Sequence, residues 1–430
     1  MLLYFSTTNA QSTSSVQLAN TIIDLLKHND VEKAYELLDT SFTNEISKTQ
    51  FIDVWNRLTQ QIGDLESIGK FKYSKHKNDD VFTTVGNFEE ASLAFHITVN
   101  EYNKISGFLM RPGPPKFHYN KPAYVDTSLI TEIDTIIRTG NFKLPAKITK
   151  LKNAFKTPVV VLVHGSGPND MDESIGKNKP FADLALGLAT KGITVIRYNK
   201  RTAEYADSVG LWDSAMTVMD ETVYDAISAI NLAKKLPYCD TGKVYVIGHS
   251  LGAMLAPRIA KNASGLKGIV MMAGNARKLD ILIEDQLNYL KPPQYRREDD
   301  KKEIDSLIKE LKYLRSPKLN IHSPSKYLPS RSPASYWLDL RTYNQVQTLK
   351  GLKNTKVLIL QGKRDYQVTM KDFAIWKQTF VGSKYVQLKS YPKLNHIFTE
   401  GEGNSYPQEY YDPKHIPVYV IEDIVAWIKK

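Results

Sequence analysis

The chain contains a single cysteine, Cys239, in 430 residues. An internal disulfide is therefore excluded, and cysteine catalysis or a cysteine-based metal site is not expected. No stretch approaches the ~20 continuous apolar residues of a membrane-spanning helix, so no membrane span is expected. There is no internal repeat and no low-complexity tract. The G-x-G-x-x-G and P-loop spacings are missing, which argues against a nucleotide-phosphate cradle. Charge of one sign is in excess, with 57 Lys and Arg against 46 Asp and Glu, a net +11. That excess is scattered among acids, as in Arg296-Arg297-Glu298-Asp299-Asp300-Lys301-Lys302-Glu303. Such a run reads as a solvated helix face. With no recognition motif beside it, nucleic acid is not an expected partner.

The composition that is present suits a globular protein. Apolar residues make up 42%, with 24 Tyr, 15 Phe and 5 Trp, enough for a substantial core. At ~150 residues per domain, the length predicts two or three domains. The start, Met1-Leu2-Leu3-Tyr4-Phe5 followed by Ser6-Thr7-Thr8-Asn9-Ala10-Gln11, is similar to the end of a secretory signal peptide, although the basic n-region is missing and the apolar core is short. Residues 1–15 are read as a signal-peptide remnant, which points to export to a periplasmic or extracellular location, with a cytoplasmic location as the alternative.

Residues 16–62 carry apolar spacing of helical period, broken at Asn29-Asp30 and ending at Gly63. From Gly69 the period shortens, and 71–73, 81–85, 92–99 and 105–110 read as strands with Asn/Asp/Gly turns between them. Residues 16–110 are thus expected to form a small α+β domain. Arg111-Pro112-Gly113-Pro114-Pro115 opens a linker over 111–119. Residues 120–157 are ambiguous and are read as strands that begin a second sheet.

From Pro158 onward, continuous apolar runs at 159–163, 193–198, 244–247, 268–273, 357–360 and, more weakly, 385–388 alternate with helical patterns at 181–190, 217–236, 251–262, 373–379 and 418–428. Buried strands alternating with helices predict an α/β domain over 120–430, built on a mostly parallel sheet with helices on both faces. The alternation pauses between Gly274 and Leu352. The segment of about 275–350 is expected to be a cap insertion over the strand ends.

Gly248-His249-Ser250-Leu251-Gly252 follows the apolar run 244–247 and opens the helical pattern 251–262. A strand, a tight turn and a helix are the context a nucleophile elbow needs, with glycines flanking serine where a side chain would clash. Pro257 inside the helix predicts a kink or a shift in its hydrogen bonding. Serine at its ordinary pKa needs a positioned base. Asp365 follows the run 357–360 and His396 follows 385–388, and ligands gather at such strand ends. His396 is read as the base and Asp365 as its orienting acid. His249, His322 and His415 are weaker candidates for the base. Val163-His164-Gly165-Ser166-Gly167-Pro168 lies just after the run 159–163. This loop is read as one side of an oxyanion hole, with the Ser166 and Leu251 N–H groups as donors. No metal or organic cofactor is implied.

Together the 164–168 loop, the 248–252 elbow, Gly362-Lys363-Arg364-Asp365 and Leu394-Asn395-His396 resemble the α/β-hydrolase superfamily over roughly residues 120–430. More narrowly, Gly165-Ser166-Gly167-Pro168, Asn178-Lys179-Pro180-Phe181, Arg197-Tyr198-Asn199-Lys200-Arg201 and Tyr336-Trp337-Leu338-Asp339 resemble a bacterial group related to dienelactone hydrolases and prolyl oligopeptidases. That group often carries an N-terminal domain similar to nuclear transport factor 2, a plan that residues 16–110 match. Asn199 stands where the group's pattern has Asp. Dienelactone hydrolases proper use a cysteine nucleophile, so Ser250 argues against that activity. The resemblance implies a serine hydrolase acting on a small-molecule carboxylic ester through an acyl-enzyme. Two alternatives stay open: a serine peptidase of the prolyl-oligopeptidase type, and a non-catalytic binding protein on a hydrolase fold. The N-terminal domain is read as shaping substrate access or mediating a homodimer.

Overall fold

The computed structural model describes residues 13–113, 119–205, 215–295 and 300–430. Most of the 1–15 remnant, residues 114–118 of the expected linker and residues 296–299 of the mixed-charge run lie outside the described residues. The chain divides into two compact units, Met1–His118 and Tyr119–Lys430.

The first unit holds α1 (Thr13–Lys27), α2 (Val31–Glu36), α3 (Thr40–Thr43) and α4 (Lys48–Ile62), then β1 (Leu65–Ile68), β2 (Lys72–His76), β3 (Asp79–Phe88), β4 (Ser92–Val99) and β5 (Ile105–Pro112). α4 starts at a capping box in which Ser47 and Gln50 satisfy each other's backbone N–H, the reciprocal arrangement that fixes a helix start. The strands pair antiparallel in the order β1-β3-β4-β5, with β2 also on β3. β3 alternates strictly between buried and half-buried positions, as a strand with one face on a core must. Ile22, Ile23, Trp55, Phe82, Phe88 and Phe95 form that core. β1 is an addition to the expected strands; its four residues are too few to show a period.

The second unit comprises β6 (Ile130–Thr139), β7 (Phe142–Leu151), β8 (Thr157–Val163), α5 (Pro180–Thr190), β9 (Thr194–Tyr198), α6 (Arg201–Glu204), α7 (Tyr224–Ala233), β10 (Cys239–His249), α8 (Leu251–Asn262) and β11 (Leu266–Met272). It continues through α9 (Leu279–Leu290), α10 (Asp300–Arg315), α11 (Ala334–Thr342), α12 (Gln345–Lys350), β12 (Lys356–Gly362), α13 (Met370–Thr379), β13 (Val386–Tyr391) and α14 (Val418–Lys429). The strand order is β13-β12-β11-β10-β8-β9-β7-β6. Neighbours from β13 to β9 run parallel, while β7 and β6 are antiparallel. The ambiguous segment 120–157 thus supplies the antiparallel edge.

The apolar runs are continuous because both sheet faces are covered. In β8, Val159, Val161 and Val163 face one core, and Val160 and Leu162 face the other. β10, β11 and β12 divide in the same way, the two-residue period of a strand. α8 runs without interruption across Pro257. From the 275–350 segment, Trp337 and Leu340 of α11, Tyr343 and Leu349 join the core that also holds Leu255, Ala256 and Ile259 of α8. Arg258 of α8 makes a two-pronged bond to Asp339 at 2.7 Å. The mixed-charge composition of 275–350 hides this burial, because the anchoring apolar residues, among them Leu287, Leu311, Leu328 and Trp337, are scattered between charged ones.

Candidate active site

Register brings the carboxyl ends of the central strands level, with Gly248 opposite both Val163 and Met271. Ser250 sits just past β10 with φ 52° and ψ −115°, a sparsely populated backbone region for a non-glycine residue that costs on the order of 1–3 kcal/mol. Two backbone bonds hold it there: its N–H donates to Met272 O, and its carbonyl accepts from Met254 N–H, both at 2.9 Å. The elbow closes only because Gly248 and Gly252 lack side chains. A Cβ at Gly248 would lie 2.3 Å from Gly252 O, and one at Gly252 would lie 2.2 Å from Val163 O.

Asp365 lies in the loop after β12, and His396 in the loop after β13. His396 Nδ1 and Asp365 Oδ2 are 2.8 Å apart, and both side chains are buried. The carboxylate is saturated: Oδ1 accepts from the N–H groups of Gln367 and Val368 at 2.8 and 2.9 Å, and Oδ2 also accepts from Gln361 Nε2 at 3.0 Å. An acceptor-only group so surrounded makes Nδ1 of His396 the protonated nitrogen and leaves Nε2 free to accept. The His396 loop is itself tied down, since Asn395 Oδ1 accepts from both the N–H and the Oγ1 of Thr399.

The His164–Pro168 loop meets the elbow directly. A Cβ at Gly165 would lie 3.2 Å from Ser250 Cβ. Ser166 is exposed and Leu251 is the first residue of α8. Among the described residues neither of these two N–H groups donates to a protein acceptor. The Gly165 N–H, in contrast, donates to Glu173 Oε1 at 2.6 Å. The expected residues are therefore brought to one end of the sheet: Asp365 and His396 in direct contact, Ser250 at the elbow, and Ser166 and Leu251 on either side of it.

Sequence reasoning missed the buried groups behind this surface. Glu173 Oε2 lies 2.9 Å from His249 Nδ1, a charge contact off the ideal hydrogen-bond axis. His249 Nε2 lies 2.9 Å from His396 O, and the two imidazole centres are 4.8 Å apart. His249, a weaker candidate for the base from sequence, is thus bonded at Nε2 and faces a carboxylate at Nδ1. Burial alone would lower its pKa, but the Glu173 carboxylate outweighs that and raises it. Burial would likewise raise Glu173, and His249 holds it below the ordinary carboxylate range. At His164 burial, aided by the nearby Lys200, outweighs the pull of the same Glu173 carboxylate and pushes the pKa down to about 4, so it is neutral at pH 7. On the other side of the loop, Lys200 is buried, pairs with Glu221 at 2.9 Å and donates to Gly165 O at 2.9 Å. Nothing in the period or spacing around Glu173 or Lys200 marks either residue as buried. The cysteine is remote from this chemistry, and burial pushes its thiol up to about 11. Among the described residues no His, Cys, Asp or Glu cluster is arranged to hold a metal.

A family model described as a protein of unknown function (DUF3887) matches residues 19–108, and one described as alpha/beta hydrolase family matches residues 160–394. Esterase EstD from Thermotoga maritima is 34% identical over 414 residues, which is 96% of this chain and 95% of that protein. Among solved structures, a hyperthermophilic esterase from the archaeon Pyrobaculum calidifontis aligns with 70% of this chain and 85% of its own, at 15% identity and a TM-score of 0.44. A dienelactone hydrolase from Anabaena variabilis aligns with 70% of this chain and 98% of its own, at 14% identity and a TM-score of 0.40. With the family model spanning residues 160–394 and a relative alike along nearly its whole length, the chain belongs to the alpha/beta hydrolase family.

Proposed function

We propose that the chain is a serine esterase that cleaves small carboxylic esters through an acyl-enzyme. The observation that carries this reading is the 2.8 Å contact between His396 Nδ1 and a fully bonded Asp365, at the same sheet end as a strained, glycine-flanked Ser250. His396 Nε2 takes the proton of Ser250 Oγ as the oxygen attacks the ester carbonyl. The tetrahedral oxyanion accepts from the N–H groups of Leu251 and Ser166. Gly165 N–H is committed to Glu173, whereas Ser166 N–H, beside it in the loop, donates to no protein acceptor among the described residues. Collapse of the intermediate releases the alcohol, which takes its proton from His396 and leaves the acyl group on Ser250. Water then attacks the acyl-enzyme, giving its proton to His396, and Ser250 recovers that proton as the acid departs. The name of the Thermotoga relative, alike along nearly the whole chain, favours ester over peptide substrates.

The test is Ser250→Ala against p-nitrophenyl acetate, together with labelling by a fluorophosphonate probe. Loss of roughly 10³-fold or more in kcat, with labelling of the wild type and none of the variant, is the expected result. Hydrolysis by the variant at the wild-type rate overturns the reading.

A further inference from the structure

We propose that Glu173 is a positioning residue for this chemistry, tying the Gly165–Ser166 side of the oxyanion hole to the peptide of His396 through His249. The inference rests on the serine-esterase reading and adds to it the part that keeps the oxyanion donors and the base in register.

Three contacts make up the bridge. Gly165 N–H donates to Glu173 Oε1 at 2.6 Å. Glu173 Oε2 lies 2.9 Å from His249 Nδ1. His249 Nε2 lies 2.9 Å from His396 O. A backbone carbonyl only accepts, so Nε2 of His249 carries a hydrogen. Nδ1 of the same ring then faces a carboxylate oxygen, and two bare lone pairs at that distance repel. The facing pair therefore carries a proton, and its attraction is a charge contact rather than an aligned hydrogen bond. The opposite shifts of the pair, His249 raised and Glu173 lowered, place that proton on the imidazole.

The bridge is buried beside the nucleophile. Glu173 is 1% exposed and His249 4%. A Cβ placed on Gly165 would meet Glu173 Oε1 at 3.1 Å, Ser250 Cβ at 3.2 Å and His249 Nδ1 at 3.7 Å, so all three residues crowd one point. The peptide on the carboxyl side of Gly165 is held independently: Gly165 O accepts from Lys200 Nζ at 2.9 Å and Asn169 Nδ2 at 3.2 Å. Because a trans peptide is planar, fixing that carbonyl also fixes the direction of Ser166 N–H, which belongs to the same unit. Lys200 thus orients the donor, and Glu173 sets where its loop stands relative to His396.

Two substitutions separate geometry from charge. In Glu173→Gln the amide oxygen still accepts from Gly165 N–H, and the amide NH₂ donates to Nδ1 of a neutral His249 whose Nε2–H still reaches His396 O. Every contact survives and only the charge is lost. Glu173→Ala removes both ends of the bridge. With p-nitrophenyl acetate, Glu173→Ala is expected to lose about 10- to 100-fold in kcat with KM within about threefold, while Glu173→Gln stays within about threefold of wild type in both. If Glu173→Ala does not fold, His249→Phe keeps an aromatic ring there, loses both the bond to His396 O and the charge contact with Glu173, and is expected to show the same kcat loss. Wild-type kcat in a folded Glu173→Ala or His249→Phe protein overturns the proposal, as does a loss confined to KM or a Gln variant as impaired as the Ala variant. Ser250→Ala in parallel distinguishes the two levels. Activity retained there removes the esterase reading and the bridge with it, whereas an inactive Ser250→Ala beside a fully active Glu173→Ala removes the bridge alone.

Discussion

Replacing Asp365 by Asn exchanges one carboxylate oxygen for an amide NH₂ at nearly constant volume, and the surrounding donors set the consequence. Four of them converge on Asp365: the N–H groups of Gln367 and Val368 on Oδ1, and Gln361 Nε2 and His396 Nδ1 on Oδ2. An asparagine that keeps both backbone bonds must turn its NH₂ toward Gln361 and His396. The imidazole can meet that NH₂ only by moving its proton from Nδ1 to Nε2, the nitrogen that has to accept from Ser250. The wrong tautomer costs on the order of 10³–10⁴ in kcat, or about 4–5.5 kcal/mol at 1.36 kcal/mol per tenfold. Stability falls less, by about 1–3 kcal/mol for one unmatched donor, because Gln361 Nε2 also donates to Gly362 O and Val368 O. The assay is kcat and KM on p-nitrophenyl acetate for wild type and Asp365→Asn, with thermal melts of both. A folded variant within tenfold of the wild-type kcat refutes the assignment of Asp365 as the group that orients His396.

Three further outcomes are expected from the same geometry. Gly252→Ala drives a methyl group to 2.2 Å from Val163 O, so the elbow must open; fluorophosphonate labelling is expected to drop roughly 100-fold or the protein to be insoluble, and full labelling would show that the turn has slack. His164 titrates near 4 when folded, against an ordinary histidine value of 6.5. The unfolded chain therefore binds a proton that the folded chain refuses, and stability that is complete above pH 6.5 is lost by up to about 3 kcal/mol as pH falls toward 4. His249 is shifted the other way, so the comparison is between melts of wild type and His164→Phe, whose ring keeps the contacts with Phe181 and Tyr198; equal pH slopes would remove the claim. The Cys239 thiol, pushed up to about 11 by burial, should stay unreactive toward Ellman's reagent at pH 8 in native protein and react fully in denaturant, as only a thiolate attacks.

Much of the architecture is legible from local period. The five-residue apolar run 159–163 has no polar position because β8 is buried on both faces, whereas β3 alternates because one face is less covered. The edge strand β6 resists the same reading: Ile130–Thr139 intersperses Glu132, Asp134 and Arg138, as an edge strand with an open face does. α8 spans Leu251–Asn262 with Pro257 inside it; burial of Leu255, Ala256 and Ile259 in the sheet core holds a helix at a residue whose local chemistry disfavours it.

For the candidate site, short stretches of sequence are enough to name the candidate residues and their places along the chain: a serine between two glycines after one apolar run, an aspartate after another and a histidine after a third. These are signals of a few adjacent residues, and they survive without knowledge of what packs on them. The partners of those residues emerge only in the folded molecule. His249 meets His396 across 147 positions, Lys200 meets Gly165 across 35, and Glu173 is buried although it sits in a polar loop. A buried charge is stable only when an opposite charge or donor lies beside it. That companion comes from a distant strand end, so no local pattern in the chain announces it.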